Sequence, residues 1–435
     1  MPVRLPAALF AAALLVAPML AAQPAPTLQP TPSVSSTAAS ATYTLSPEKR
    51  EKAIAYSRAR YTLHFVSFFW SVLVLVVIIA LRLAPRFRDR AESASRRRFW
   101  QAAVFVPLLF ATQFVLELPT AAYGQHLSRL YEQSVQSWGS WFWDEIKGLL
   151  VGIVIAIPLV WLLYAILRKS PRRWWLWFWL ALLPILVFLI FVSPVLIDPL
   201  FFKFEPLAPA HPELARSIEQ VTVRAGEHIP PEKMFAMNAS SKYNSINAYV
   251  TGLGASKRVV VWDTTIAKAT IPQTLFVFGH EMGHYVLAHI PKTIAFLWGL
   301  LLMLLVLAAA VLGRVFRRPD RWGIRGLTDW ASLPVLILVV TIATELATPL
   351  IAGFIRNQEH QADIFGLEAI HGLVPDSPRA AAGAFQILGE TNLSDPNPSP
   401  FIRFWLYTHP PLPERLRFAA EYDPWGKGES PQYVK

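Results

Sequence analysis

Residues 276–313 read FVFGHEMGHYVLAHIPKTIAFLWGLLLMLLVLAAAVLG. Two statements about the fold sit side by side in this stretch. The first is His280-Glu281-Met282-Gly283-His284, two histidines four positions apart with a glutamate between them. The second is the uncharged apolar run 293–313, long enough to cross a hydrocarbon core of about 30 Å as a helix. A polar, metal-capable segment thus runs straight into a membrane span.

The histidine segment reads as a helix. Pro272 suits a first turn, because the N–H it lacks is one that turn leaves unpaired. The helix is expected to continue to about His289, before Pro291. On it, His280 and His284 point the same way, about 5.4 Å apart along the axis. That spacing suits two corners of a zinc tetrahedron, with Glu281 beside them as a base for a water at the metal. Leu275, Phe276, Phe278, Val286 and Leu287 clothe the helix in apolar surface. A His-Glu-His group there is costly without a metal or partners. The chain has no cysteine, so thiolate ligands, disulfides and cysteine nucleophiles are excluded.

Two histidines leave a catalytic zinc one protein ligand short. The candidate is Glu359, in Arg356-Asn-Gln-Glu-His-Gln-Ala-Asp363. Asp363 lies four residues on, on the same helix face, where it can accept the second N–H of a ligating histidine and fix its tautomer. His360 competes as a ligand, but it points about 100° away from Glu359.

Working outward, more than half of the 435 residues are apolar. Six long apolar runs, at about 62–81, 101–118, 149–167, 174–197, 293–313 and 332–355, read as membrane spans. Met1 to Ala22 reads as a secretory signal peptide or an N-terminal membrane segment. Residues 23–61 read as a linker, 62–198 as four transmembrane helices, and 199–292 as the first part of a folded catalytic domain. Residues 293–355 read as two further spans and 356–435 as the second catalytic part, a helix followed by Pro-rich loops. Within the first part, Arg258 to Asp263 reads as a strand.

The net charge is +11. The stretches 82–98, 168–173 and 314–325 hold 7, 4 and 5 of the Lys and Arg residues, leaving 24 of 40 basic against 26 of 29 acidic residues elsewhere. Excess positive charge beside apolar runs marks membrane-anchoring loops and not a nucleic-acid surface. The three stretches follow the first, third and fifth runs, so one topology puts all of them on the cytoplasmic side. The catalytic parts then face outward, which in a bacterial inner membrane is the periplasm. Lys49, Arg50, Lys52, Arg58 and Arg60 run against this bias. Glu117 and Glu345 lie in apolar runs, where a carboxylate must face protein or water.

The two motifs together, His280-Glu281-x-x-His284 and Arg356-x-x-Glu359-x-x-Ala362-Asp363, resemble the Glu-zincin metallopeptidases of the type I CAAX prenyl protease and heat-shock membrane protease group. The segment 197–207 (IDPLFFKFEPL), Asn247-Ala-Tyr, Lys257 to Asp263 and Thr408-His409-Pro410 favour the prenyl protease branch. The resemblance implies a mainly α protein, a multi-pass transmembrane helical bundle with an inserted Glu-zincin domain carrying a small β-sheet. It implies that zinc is held by His280, His284 and Glu359, and that Glu281 is the base. It also implies that His409 stabilises the oxyanion or holds a substrate carbonyl. Asn247 then holds a substrate main chain laid against an edge strand formed by these segments. The function so implied is a zinc metalloendopeptidase acting on peptides or membrane-associated proteins, lipidated ones among them. The family's eukaryotic members act on cytosolic prenylated proteins, whereas the charge bias here turns the catalytic side outward. Quality control of membrane proteins is the alternative task. A membrane scaffold or transporter with a structural zinc is the alternative class, and Glu281 argues against it, since a structural site needs no base.

Overall fold

The computed structural model describes residues 42–252, 257–317 and 321–434. The signal-like segment 1–22 and the start of the linker lie outside them. From Pro47 onward the expected linker is helical. Helix α1 (Pro47–Ala80) begins where Ser46 accepts a hydrogen bond from the Lys49 N–H, with Pro47 and Glu48 in its first turn. It is followed by the short α2 (Leu83–Ala94) and then by α3 (Arg98–Leu130), α4 (Trp138–Lys169) and α5 (Trp174–Val192). The spans are longer than the apolar runs because their polar ends continue as helix. The 33 residues of α3 make about 50 Å, against a hydrocarbon core of about 30 Å. The run 174–197 is broken: α5 meets Ser193–Leu200 at a 45° bend, where Pro194 opens a single π-turn. Among the described residues, five helices can cross a membrane, or six if that bent pair is one span.

The catalytic part opens with β1 (Phe204–Pro206) and continues through α6 (Pro212–Arg224), β2 (Met234–Met237), β3 (Ala248–Thr251) and β4 (Arg258–Trp262). The sheet order is β1-β2-β4-β3. Strand β4 runs parallel to β2 and antiparallel to β3. The expected strand at 258–263 is therefore interior, and β3 is an edge; Asp263 leaves the strand and starts a helical turn.

Helix α7 (Ile271–Val286) carries the histidines. It is held at its start by a capping box between Thr270 and Gln273. It stops at Val286 and does not reach His289, because Ala288 is left-handed, at φ 56°. Pro291 does not end it. It falls in the first turn of the next span, α8 (His289–Val315). Helix α9 (Leu333–Ile370) runs unbroken from the bilayer into the site. The expected division at 355/356 is thus no break in the chain's course. Three helices follow: α10 (Ser377–Thr391), α11 (Pro400–Leu406) and α12 (Leu412–Glu421).

There are two main apolar cores. One lies within the bundle, around Phe105, Phe110, Tyr164, Trp174 and Trp330. The other lies under the catalytic part, around Val259, Phe276, Phe278, Phe365 and Phe385. Outside the bundle, Phe69, Val154, Phe188 and Leu346 are exposed, as a lipid-facing surface requires. The basic stretches meet at one end of the bundle. Arg88 donates to Asp329 and to the Gly323 carbonyl. Arg325 pairs with Glu92 and Asp89, and Arg168 lies over Trp330. At the opposite end, two of the contrary cations are neutralised by acids of that end: Lys49 by Glu390 at 2.9 Å and Lys52 by Glu132 at 2.7 Å. In the spans, Glu117 accepts from Gln113 on its own helix. Glu345 is bound by His64 and Trp405.

Candidate active site

The site lies where α7 crosses α9 at close range. Glycine makes that approach possible. A Cβ on Gly283 would come within 2.9 Å of the Phe365 Cβ, and one on Gly366 within 2.9 Å of the His280 backbone nitrogen. Gly283 is one of the two unspecified positions of His-Glu-x-x-His, and here it is the contact point between the two ligand-bearing helices.

The crossing brings three ligand candidates together. His280 Nε2 lies 3.1 Å from His284 Nε2 and 3.2 Å from Glu359 Oε2. His284 Nε2 lies 3.4 Å from Glu359 Oε1. A tetrahedron with bonds of 2.0–2.1 Å has edges of about 3.3–3.4 Å, so these separations fit a zinc ion. Glu359 Oε2 is buried with no hydrogen bond of good geometry, a cost that a cation at that point would remove. The three residues form a possible metal site. His360 does not join them: its ring packs edge-on against Phe418, centroids 4.8 Å apart.

Around the ligands, Asp363 Oδ1 is 2.8 Å from His280 Nδ1. Asp363 is itself held by Arg415, with Nε 2.8 Å from Oδ2 and Nη2 2.5 Å from Oδ1. Arg415 was not legible in the sequence, because nothing in Pro411 to Arg417 hints at a partner 52 residues away. His409 reaches the same cluster, with Nε2 3.0 Å from Glu359 Oε2 and the side chain half exposed. Its loop is fastened by Arg356, which donates to the carbonyls of Arg403 and Tyr407. Asn247 sits at the head of the edge strand β3. Its N–H donates to Thr265 Oγ1 at 2.7 Å, and its carbonyl accepts from the Trp262 N–H at 3.0 Å. Among the described residues, no hydrogen bond or ion pair ties it to the ligand cluster.

The local electrostatics divide the roles. Burial pushes His284 down to about 3, so its ring stays neutral and keeps a lone pair. Burial would also lower His280, but the hydrogen bond to Asp363 and the nearby Glu359 carboxylate outweigh it and raise the group to about 10 without a metal. Burial lifts Glu281 to about 7, in the range where a carboxylate both takes and returns a proton near neutrality.

Residues 33–203 match the CAAX prenyl protease N-terminal family, described as five membrane helices, and residues 209–423 match peptidase family M48. The chain is 32% identical over 393 residues to an uncharacterized metalloprotease, YhfN, of Bacillus subtilis (strain 168), covering 89% of each chain. The chain belongs to peptidase family M48. It is 27% identical over 402 residues to CAAX prenyl protease 1 of Saccharomyces cerevisiae (strain ATCC 204508 / S288c), covering 86% of each. The crystal structure of S. mikatae Ste24p superposes with a TM-score of 0.73 at 26% identity, covering 87% of this chain and 89% of that one. The protein is thus an integral-membrane zinc metalloprotease of the CAAX prenyl protease family. M48 metalloproteases are zinc-dependent in general.

Proposed function

We propose that this protein hydrolyses peptide bonds at a single zinc held by His280, His284 and Glu359. The observation that carries the reading is the meeting of two imidazole nitrogens and a buried carboxylate at tetrahedral spacing, beside Glu281. When bound, zinc would polarise the scissile carbonyl and acidify the attacking water. Glu281 takes the proton of that water and passes it to the leaving amine. Asp363 holds the His280 proton on Nδ1, leaving Nε2 free to ligate. His409, at the open side of Glu359, donates to the carbonyl oxygen as it gains charge. Strand β3 offers an unpaired edge to an extended substrate, with Asn247 at its head.

Substrates of this reading are peptides or membrane-associated proteins, including prenylated ones of the kind named for the yeast relative. The site lies at the end of the bundle away from the three basic loops, which supports a catalytic side facing the periplasm of a bacterium. A reporter fused to the C-terminus tests the side: activity of a periplasm-only reporter is expected, and activity of a cytoplasm-only reporter overturns the orientation. Incubating the purified protein with a prenylated CAAX peptide and with an unmodified unfolded protein separates a prenyl protease from a quality-control enzyme. The zinc assignment is tested by His284→Ala, which is expected to remove metal and activity together; unchanged metal content would refute it.

A further inference from the structure

Only one nitrogen of His284 can face a metal. Its Nε2 lies against His280 and Glu359, so Nδ1 points away. That Nδ1 is 3.1 Å from Nδ1 of His289, and Nε2 of His289 is 3.0 Å from Oε1 of Gln361. His289 is 2% exposed. The direction of this chain is forced. If Nε2 of His284 ligates, the ring proton sits on its Nδ1 and must be donated outward. His289 then accepts on Nδ1 and carries its own proton on Nε2, which donates to the Gln361 amide oxygen. The reverse direction puts a proton on His284 Nε2 and closes that corner of the site.

We propose that His289 and Gln361 are positioning residues that set the tautomer and ring orientation of His284, as Asp363 and Arg415 do for His280. The inference rests on the zinc reading above. A second observation carries it independently. On a straight helix, His289 would lie about 140° around the axis from His284 and could not reach it. The chain instead breaks at Ala288, whose φ of 56° is disfavoured for an L side chain. That break turns His289 back toward the site at the head of the following span. The new helix is pinned there to α9 by Thr293, which donates to Gln358 at 2.7 Å. The two arms differ in charge. His280 is backed by a carboxylate and His284 by a neutral imidazole and amide. The second arm therefore fixes a proton without adding an anion to a pocket that already holds Glu281, Glu359 and Asp363.

The test uses the full-length protein in detergent, with zinc affinity read by competition with a chromophoric chelator. The thermal midpoint of the zinc-free protein is read in parallel. His289→Leu and Gln361→Leu are each expected to weaken zinc about 10–100-fold while the zinc-free midpoint stays put. His289→Asn places an amide oxygen where Nδ1 stood, and it is expected to recover most of the affinity. Wild-type affinity in both Leu variants overturns the proposal. So does failure of Asn to rescue, or a fall in the zinc-free midpoint that accounts for the lost affinity. If His289→Leu does not fold, Gln361→Leu and His289→Asn decide it. A wild-type protein that takes up no zinc overturns the metal reading itself, and this inference with it.

Discussion

Two buried arginine–aspartate pairs stand out among the described residues, one at each end of the bundle, and they do different work. At the basic end, Arg88 meets Asp329 at 2.6 Å, with side chains 7% and 3% exposed. At the catalytic end, Arg415 meets Asp363 at 2.5 Å, with side chains 10% and 0% exposed. What separates them is the third partner. Asp329 spends its remaining capacity on the N–H groups of Arg325 and Ala331, so it closes a loop. Asp363 gives one of its oxygens to His280, so it aims a candidate ligand. The same pair is structural when its neighbours are backbone and functional when a neighbour is a histidine that donates from one ring nitrogen and keeps the lone pair of the other. Burial alone does not tell the two apart.

The sharpest break of this comparison is chemical. Glu281→Gln should lower peptidase turnover about 10³-fold or more, with zinc content unchanged by metal analysis; a variant retaining full activity would remove Glu281 from the mechanism. Next come the two arginines. Arg415→Met and Arg88→Met each leave a buried carboxylate uncompensated and should each cost about 3–5 kcal/mol of stability. Only Arg415→Met should also weaken zinc in chelator competition, and equal zinc loss in both would dissolve the distinction. Asp363→Asn should weaken zinc about 10–100-fold while Asp329→Asn leaves it unchanged.

The smallest effect is in pH. Without metal, His280 is raised to about 10 and so carries a proton through neutral pH. Zinc must displace that proton. Affinity should therefore fall as pH falls, by about tenfold per unit below about 10. Calorimetric titration in two buffers of different ionisation enthalpy should show about one proton released per zinc. A buffer-independent heat near pH 7 would mean that His280 is already neutral.

Much of this site was legible because its chemistry is written locally. His280, Glu281 and His284 share one helix by spacing, and Glu359 and Asp363 share another, so each helix announces its own face. Arg415 and Gln361 were not legible, since each matters only through a residue far away in sequence. His289 was misplaced for a subtler reason. Periodicity extends a helix until something stops it, and the expected stop was Pro291. The actual break is the left-handed Ala288, which no residue preference signals. The spans were found but cut short, because hydropathy registers the lipid-facing middle of a helix and not the polar turns beyond it.

The sequence by itself determined that this chain is a membrane protein with a His-Glu-x-x-His helix, that Glu359 on a second helix is the candidate third ligand, and which bundle end carries the positive loops. These follow from period, length and charge, which are properties of the chain at short range. Only the tertiary structure decided how the ligands meet. Gly283 and Gly366 let two helices touch closely enough for Nε2, Nε2 and Oε atoms to fall within 3.4 Å of one another. The folded chain likewise decided which of two similar buried aspartates meets a histidine of the candidate metal site. Close approach and hydrogen-bond direction are properties of pairs brought together by folding.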